Sequence, residues 1–289
     1  MKDLEQILSK YFGYDSFRPQ QREIIESVID GNDTVVLMPT GGGKSLCYQV
    51  PALAMDGLTV VISPLISLMK DQIDVLQANG VEAEYLNSSL SPSESERVLN
   101  RLKVNTNKDD KPLKLLYIAP ERFTTPGFLE LLQSLDIDLI AIDEAHCISQ
   151  WGHDFRPEYR RLRPIIQNIG DVSIIALTAT ATPKVQDDLQ KNLELSKPNI
   201  FISSFNRTNL YYEVVPKVGK EKTIKHMVKF IKGMKGKSGI IYTLNRKSTE
   251  DLATLLEANG VKAVAYHAGL DAKTRAKRQD LFLMGDVDV

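Results

Sequence analysis

The 289-residue sequence predicts an α/β protein: a doubly wound parallel sheet, followed by a second, partial unit of the same kind. Three observations carry that expectation. Short apolar runs rich in Val, Ile and Leu recur without the alternation of a sheet with one wet face, which suits parallel strands covered on both sides. Amphipathic segments separate these runs, and such strand–helix alternation marks βα units. The composition is globular, with 43% hydrophobic residues and 36 basic against 37 acidic side chains, which fits neither disorder nor a uniformly basic nucleic-acid coat.

Two helices come first, with apolar spacing Leu4, Ile7, Leu8, Tyr11 and then Ile24, Ile25, Val28, Ile29. Strands are expected at 34–38, 58–63, 113–119, 138–142, 172–177 and 199–203. Helices are expected between them at 44–53, 65–78, 92–104, 127–135, 157–168 and 183–193. Ser91-Pro92 and Thr182-Pro183 each place a capping hydroxyl before a proline suited to a first helical position. Past Ser203 the pattern breaks into a polar stretch punctuated by Pro216 and Gly219. The expected division is therefore a first domain over 1–205, a linker over 206–220 and an incomplete second domain over 221–289. In the last, helices at 223–231, 248–258 and 272–284 alternate with strands at 239–242 and 263–266, and Val287-Asp288-Val289 opens another strand.

Charge is unevenly spread. Residues 221–289 hold 13 Lys and Arg against 8 acids, a surplus of five that leaves residues 1–220 with a deficit of six. A basic segment beside an acidic body suits a polyanionic partner, and equally a solvated lysine-rich surface. Cys47 and Cys147 form neither a disulfide framework nor a zinc set, so no zinc is expected. No apolar run approaches the ~20 residues that span a bilayer, and the acidic start Met1-Lys2-Asp3-Leu4-Glu5-Gln6 is unlike a signal peptide. These features predict no membrane partner and a cytoplasmic location, nucleoid-associated if the source is bacterial.

The first chemical motif follows the first strand: Pro39-Thr40-Gly41-Gly42-Gly43-Lys44-Ser45. Glycines let backbone N–H groups close on phosphate oxygens, and the helix that follows adds its N-terminal partial charge. Lys44 can neutralise terminal phosphates, and the Ser45 hydroxyl can hold Mg2+. The strict phosphate-loop pattern wants glycine at position 38, where this chain has Met38, so the motif alone also fits a flexible turn. A second motif ends the strand at 138–142 with Asp143-Glu144-Ala145-His146. Parallel sheets bind ligands at this strand edge. There Asp143 suits a Mg2+ ligand and Glu144 the base that directs an attacking water, although paired acids also serve helix N-termini. Together, each after its own apolar strand, the two motifs predict nucleotide hydrolysis.

A third cluster packs Trp151, His153, Phe155 and Arg156 into six residues just past the acids. Base–aromatic stacking contributes about 1–3 kcal/mol per base whatever the sequence, which suits single-strand binding; core aromatics are the plainer alternative.

Met38-Pro-Thr-Gly-Gly-Gly-Lys-Ser45, Ser63-Pro-Leu-Ile-Ser-Leu-Met-Lys-Asp-Gln72, Asp143-Glu-Ala-His146 and Ala176-Leu-Thr-Ala-Thr-Ala-Thr182 resemble, in that order, motifs of RecQ-type DNA helicases of superfamily 2. That superfamily does not require the first glycine, which accounts for Met38. Cys147-Ile-Ser-Gln-Trp-Gly-His-Asp-Phe-Arg-Pro-Glu-Tyr-Arg160 is similar to the aromatic-rich loop that links single-strand binding to ATP hydrolysis in that family. The resemblance implies two RecA-like domains, ATP and Mg2+ as cofactors, single-stranded and duplex DNA as partners, and 3′→5′ translocation. By the same resemblance Phe12-Gly-Tyr-Asp-Ser-Phe-Arg-Pro-Gln-Gln21 is an adenine-recognition motif in which Tyr14 and Arg18 sandwich the base and Gln21 reads its edge. The family carries glycine where this chain has Gln20. Ser67 and Lys70 are implied as phosphate contacts, Thr178 and Thr180 as the coupling motif, and His267 as a candidate strand contact in the second domain. The family's paired arginines, zinc module and winged helix follow beyond the segment matched by Val289, so weak hydrolysis by a fragment is expected. Two alternatives stand beside a DNA helicase: a related RNA helicase, and a non-motor module that binds ATP or DNA.

Overall fold

The computed structural model describes residues 3–104, 111–152, 154–195, 197–204, 206, 209–217 and 219–289, the side chains at 67, 104, 220 and 272 excepted. Two compact units divide the chain, Met1–Thr208 and Asn209–Val289.

In the first unit the described elements run α1 (Leu4–Phe12), α2 (Gln21–Ile29), β1 (Thr34–Leu37), α3 (Leu46–Ala54), β2 (Leu58–Ile62), α4 (Ile66–Ala78), β3 (Ala83–Leu86), α5 (Pro92–Val104) and β4 (Leu115–Ile118). They continue with α6 (Phe128–Gln133), β5 (Ile137–Ile142), α7 (Leu162–Ile169), β6 (Ser173–Thr178), α8 (Pro183–Leu193) and β7 (Asn199–Ile202). The seven strands form one sheet in the order β3-β4-β2-β5-β6-β1-β7, with every neighbouring pair parallel. This is the predicted α/β class, and its cause is visible strand by strand. Val35, Val60, Leu116, Ile140 and Ile174 point into one core with Leu102, Leu132, Ile166 and Leu189 from α5–α8. Their neighbours Val36, Val61, Leu115, Leu139 and Ile175 point into the other core, with Leu8, Ile25, Val50 and Met69 from α1–α4. Both faces are buried, so successive residues are all apolar.

Several elements depart from expectation. Ala83–Leu86 is a strand that the sequence did not announce, because Glu84 interrupts its short apolar run. That carboxylate is buried, and Arg97 and Arg101 of α5 donate to it at 2.7 and 2.9 Å. β7 is an edge strand paired to β1 alone, so it is mostly exposed rather than covered. The helix expected over 157–168 divides into a 3-10 turn, Pro157–Arg161, and α7.

The second unit contains α9 (Lys220–Gly233), α10 (Arg246–Ala258) and α11 (Ala272–Leu283) around a small core of Leu256, Val261 and Ala263. The strands expected at 239–242 and 263–266 are not formed as ladders. Isolated bonds join these segments to residues 287–289: Gly239 N–H donates to Asp288 O at 2.8 Å, and Val264 N–H to Val289 O at 3.0 Å. Tyr242 stays 90% exposed. Among the described residues no helix is long and apolar enough to cross a membrane.

Candidate nucleotide and nucleic-acid site

Strand register sets the site. Leu37 lies opposite Thr178, Ile142 opposite Ala176, and Ile62 opposite Ile142. The loops after β1, β2, β5 and β6 therefore leave the sheet at one level, on the carboxyl edge where α/β sheets bind ligands. A cleft of about 270 Å³ opens there, lined by Thr40, Gly41, Gly43, Lys44, Ser45, Ser63, Gln72, Tyr117, Asp143 and Glu144 among others.

The phosphate loop has the backbone its glycines permit. Gly41 and Gly43 hold φ of 78° and 84°, in the left-handed region that favours glycine. At Gly42 a Cβ would stand 2.9 Å from the Pro39 carbonyl oxygen. The expected helix start at 44 shifts to Leu46, with Lys44 and Ser45 in the turn before it. Lys44 Nζ rests on the Met38 carbonyl at 3.2 Å, and the Met38 N–H donates to Thr178 O at 3.1 Å.

Arg18 and Gln21 reach the loop from outside. The Arg18 guanidinium donates to Gly41 O, and Gln21 Nε2 donates to Gly43 O at 3.1 Å. Gln21 Oε1 accepts the Arg18 N–H at 2.8 Å, leaving the side chain 1% exposed. In this state the Gln21 amide is spent on the protein's own backbone. Gln20 takes φ 67°, a left-handed backbone that costs strain in a residue other than glycine. Its Oε1 accepts from Ser203 Oγ at 2.6 Å. Tyr14 is exposed and stands apart from the residues lining the cleft.

The acids face the loop across the cleft. Burial, reinforced by the charge of Glu144, pushes the Asp143 carboxyl up to about 6, against the opposing pull of Lys44 and His146. Such a carboxylate is held short of counter-charge, and with the Ser45 hydroxyl it supplies the hard oxygen donors that Mg2+ prefers. The residues fit the ion. Glu144 has φ 48° and ψ 44°, a left-handed conformation uncommon outside glycine. From there Glu144 Oε2 lies 3.2 Å from His146 Nδ1, which also lies 3.0 Å from Thr178 Oγ1. The Thr180 N–H closes the chain by donating to Thr178 Oγ1 at 3.1 Å. His146 thus joins the acid motif to the Thr178–Thr180 segment. Sequence reasoning gave it no role, although it stood inside the motif. Tyr159, also missed, donates its hydroxyl to Asp143 O at 3.0 Å.

Beyond the acids, Trp151 is 64% exposed with Lys184 Nζ of α8 3.1 Å over its ring. Phe155 carries the Arg160 guanidinium at 5.4 Å. Arg156 is a strut: its Nη1 donates to Pro64 O at 2.9 Å, and Asp154 Oδ2 holds its Nη2 at 3.1 Å. His153 lies outside the described residues, as does the Ser67 side chain. Lys70 is solvent-exposed on α4 and pairs with Asp74 at 2.8 Å. In the second unit both ring nitrogens of His267 are engaged, Nε2 with Glu250 Oε1 at 3.0 Å and Nδ1 with the Gly269 N–H at 3.2 Å. Both cysteines are buried and free, and burial pushes each thiol up to about 12.

A glycine-rich loop facing paired acids across the carboxyl edge of a parallel sheet is the arrangement of an α/β fold that binds its ligand at that edge, and the chain belongs to the DEAD/DEAH box helicase family, which matches residues 18–189. It is similar to the ATP-dependent DNA helicase RecQ of Pasteurella multocida, 48% identical over 283 residues that cover 98% of this chain and 43% of that protein. It is likewise similar to the ATP-dependent DNA helicase RecQ of Bacillus subtilis, 45% identical over 99% of this chain and 47% of that protein. The chain thus spans under half the length of these relatives. In fold it is similar to the helicase MrfA bound to DNA and AMPPNP, with TM-score 0.71 at 20% identity over 100% of this chain and 43% of that one.

Proposed function

We propose that the chain is the ATP-binding part of a RecQ-like DNA helicase that couples Mg2+-ATP hydrolysis to 3′→5′ translocation on single-stranded DNA and to duplex unwinding. The observation that carries this is the convergence of Lys44, Ser45, Asp143 and Glu144 on one cleft. In this reading residues 1–205 form the ATP-binding RecA-like domain, 206–220 a linker and 221–289 the start of the second motor domain. Lys44 would leave Met38 O for the terminal phosphates, and Ser45 and Asp143 would hold Mg2+, which would supply neutralisation of phosphate charge. Glu144 orients the attacking water. Tyr14, Arg18 and Gln21 receive the adenine, with Gln21 exchanging its loop carbonyls for the base edge.

Trp151, His153, Phe155 and Arg156 stack on or grip the single strand, joined by Ser67, Lys70 and His267. Thr178 and Thr180 relay the state of Glu144 through His146. Unwinding belongs to the whole protein, whereas nucleotide binding is assigned to this chain. The aromatic cluster favours a RecQ-like DNA enzyme over an RNA helicase, and its position beside the acids favours a motor over a passive binding module.

The experiment is binding of a fluorescent ATP analogue with Mg2+, followed by ATPase with and without oligo(dT) and oligo(U), on wild type and Lys44→Ala. Binding lost in Lys44→Ala, with DNA-selective stimulation of the wild type, is the expected result. Equal binding by both proteins refutes the site.

A further inference from the structure

The aromatic loop past the acids contains one cation beside Trp151 and Phe155, and that cation is already committed to protein. Pro64 O and Asp154 hold the Arg156 guanidinium. The ring of Trp151 is met instead by a residue of another element, the Lys184 ammonium 3.1 Å from its centroid. Both partners are fixed from behind. The Trp151 N–H donates to Ser149 Oγ at 3.2 Å, and at Gly152 a Cβ would stand 2.5 Å from His146 O, so the loop backbone is pressed against the acid motif. Lys184 is the second residue of α8, whose start is set by the Thr182 hydroxyl accepting the Val185 N–H at 3.4 Å.

Lys184 gains nothing for its own helix from that position. The first turn of α8 holds no acid, and a cation there faces the positive end of the helix dipole. Asp187 and Asp188 stand three and four residues on, at the spacing where helices pair opposite charges. Among the described residues the ammonium nevertheless lies over the ring and in no ion pair. Trp151 remains 64% exposed with one face so covered, which leaves its other face to solvent. An open aromatic face beside a charge that no carboxylate neutralises matches one nucleotide of a single strand: the ring stacks the base and the charge meets a phosphate.

We propose that Lys184 is a strand-binding residue: it holds the Trp151 ring with one face open to a base and supplies the positive charge for the phosphate of the nucleotide stacked there. This rests on the helicase reading, in which Trp151 meets single-stranded DNA, and adds to it a contact from outside the aromatic loop. The cation–π attraction keeps the ammonium at the ring before the strand arrives, and the flexible four-carbon stem lets it move to the rim when a phosphate comes within reach.

The test measures affinity for labelled oligo(dT) by anisotropy over about 50–200 mM salt, with the 289-residue chain as wild type, Lys184→Gln and Lys184→Arg. One lost phosphate contact on a single strand lowers the slope of log affinity against log salt by about 0.7, or about fivefold in affinity at ~0.1 M salt if the proteins bind equally at ~1 M. Lys184→Gln is expected to show both changes, and Lys184→Arg to recover them. Fluorescence of Trp151, the sole tryptophan, should still be quenched by oligo(dT) in Lys184→Gln, since the base takes the opposite face. A lysine with a merely structural role would leave the salt slope alone, and removing a cation from this end of α8 does not weaken the helix. Lys184→Gln with the wild-type slope and affinity, or Lys184→Arg as weak as Lys184→Gln, overturns the assignment and leaves the helicase reading intact. Tighter binding by Lys184→Gln overturns it too, because the ammonium would then compete with bases for the ring. A wild type that does not bind oligo(dT) overturns the strand contacts of the helicase reading, and this inference with them.

Discussion

Replacing Asp143 by Asn should stabilise the protein in Mg2+-free buffer, by an amount that depends on pH. The carboxyl is pushed from 3.8 to about 6, chiefly by burial and then by Glu144. Its sign is that of a raised acid. Folding is favoured by this group below its unfolded value, and the advantage is lost as pH rises through about 6. A carboxyl raised that far costs the folded state about 3 kcal/mol at pH 8 and about half that at pH 5, and this is what Asn should recover. The substitution keeps an oxygen able to accept the Glu144 N–H, now bonded at 3.0 Å, so little else is disturbed. Urea unfolding followed by circular dichroism, and by fluorescence of Trp151, the sole tryptophan, gives the difference at both pH values. A variant less stable than wild type at pH 8, or a difference independent of pH, would refute the electrostatic account of the site. Saturating Mg2+-nucleotide should reverse the ranking, because only the wild type keeps the ionised ligand.

Other substitutions probe separate parts. Gly43→Ala forces a side chain into φ 84° and against Gln21 Nε2, so nucleotide affinity should fall at least about tenfold with the far-UV spectrum unchanged. Trp151→Ala should cost oligo(dT) binding about 1–3 kcal/mol, a 5- to 150-fold weaker affinity by anisotropy, without altering nucleotide affinity. Burial acts to raise the Glu84 carboxyl, but the bonds from Arg97 and Arg101 outweigh it and hold the group below its ordinary 4.5. Its contribution is therefore present above that pH and fades as pH falls further. Glu84→Gln should lose about 1–2 kcal/mol in urea melts at pH 7, a figure reduced for the exposure of Arg97, and less at pH 4.

Legibility followed the range of the interactions. The strands around Val35, Val60 and Ile140 could be read because burial on both faces leaves an unbroken apolar run. β3 could not, since Glu84 becomes acceptable in a core only through arginines 13 and 17 residues away. The phosphate loop and the acid pair are each local in sequence, and the sheet register brings them together. His146 against Thr178, and Tyr48 against Tyr117, are pairings across 32 and 69 residues that no local pattern announces. The left-handed Glu144 was invisible for a related reason: nothing in its residue type asks for that backbone.

The two margins of the sheet are finished differently. At β3, a carboxylate clasped by two arginines puts charge beside the unpaired backbone, a common defence against another chain adding itself there. At β7, Ile200 and Ile202 stay 45% and 52% exposed on a strand whose outer side has no partner within the described sheet. Self-association during expression or refolding should therefore begin at the β7 margin, and a lysine at Ile202 is the most economical way to keep the protein monodisperse.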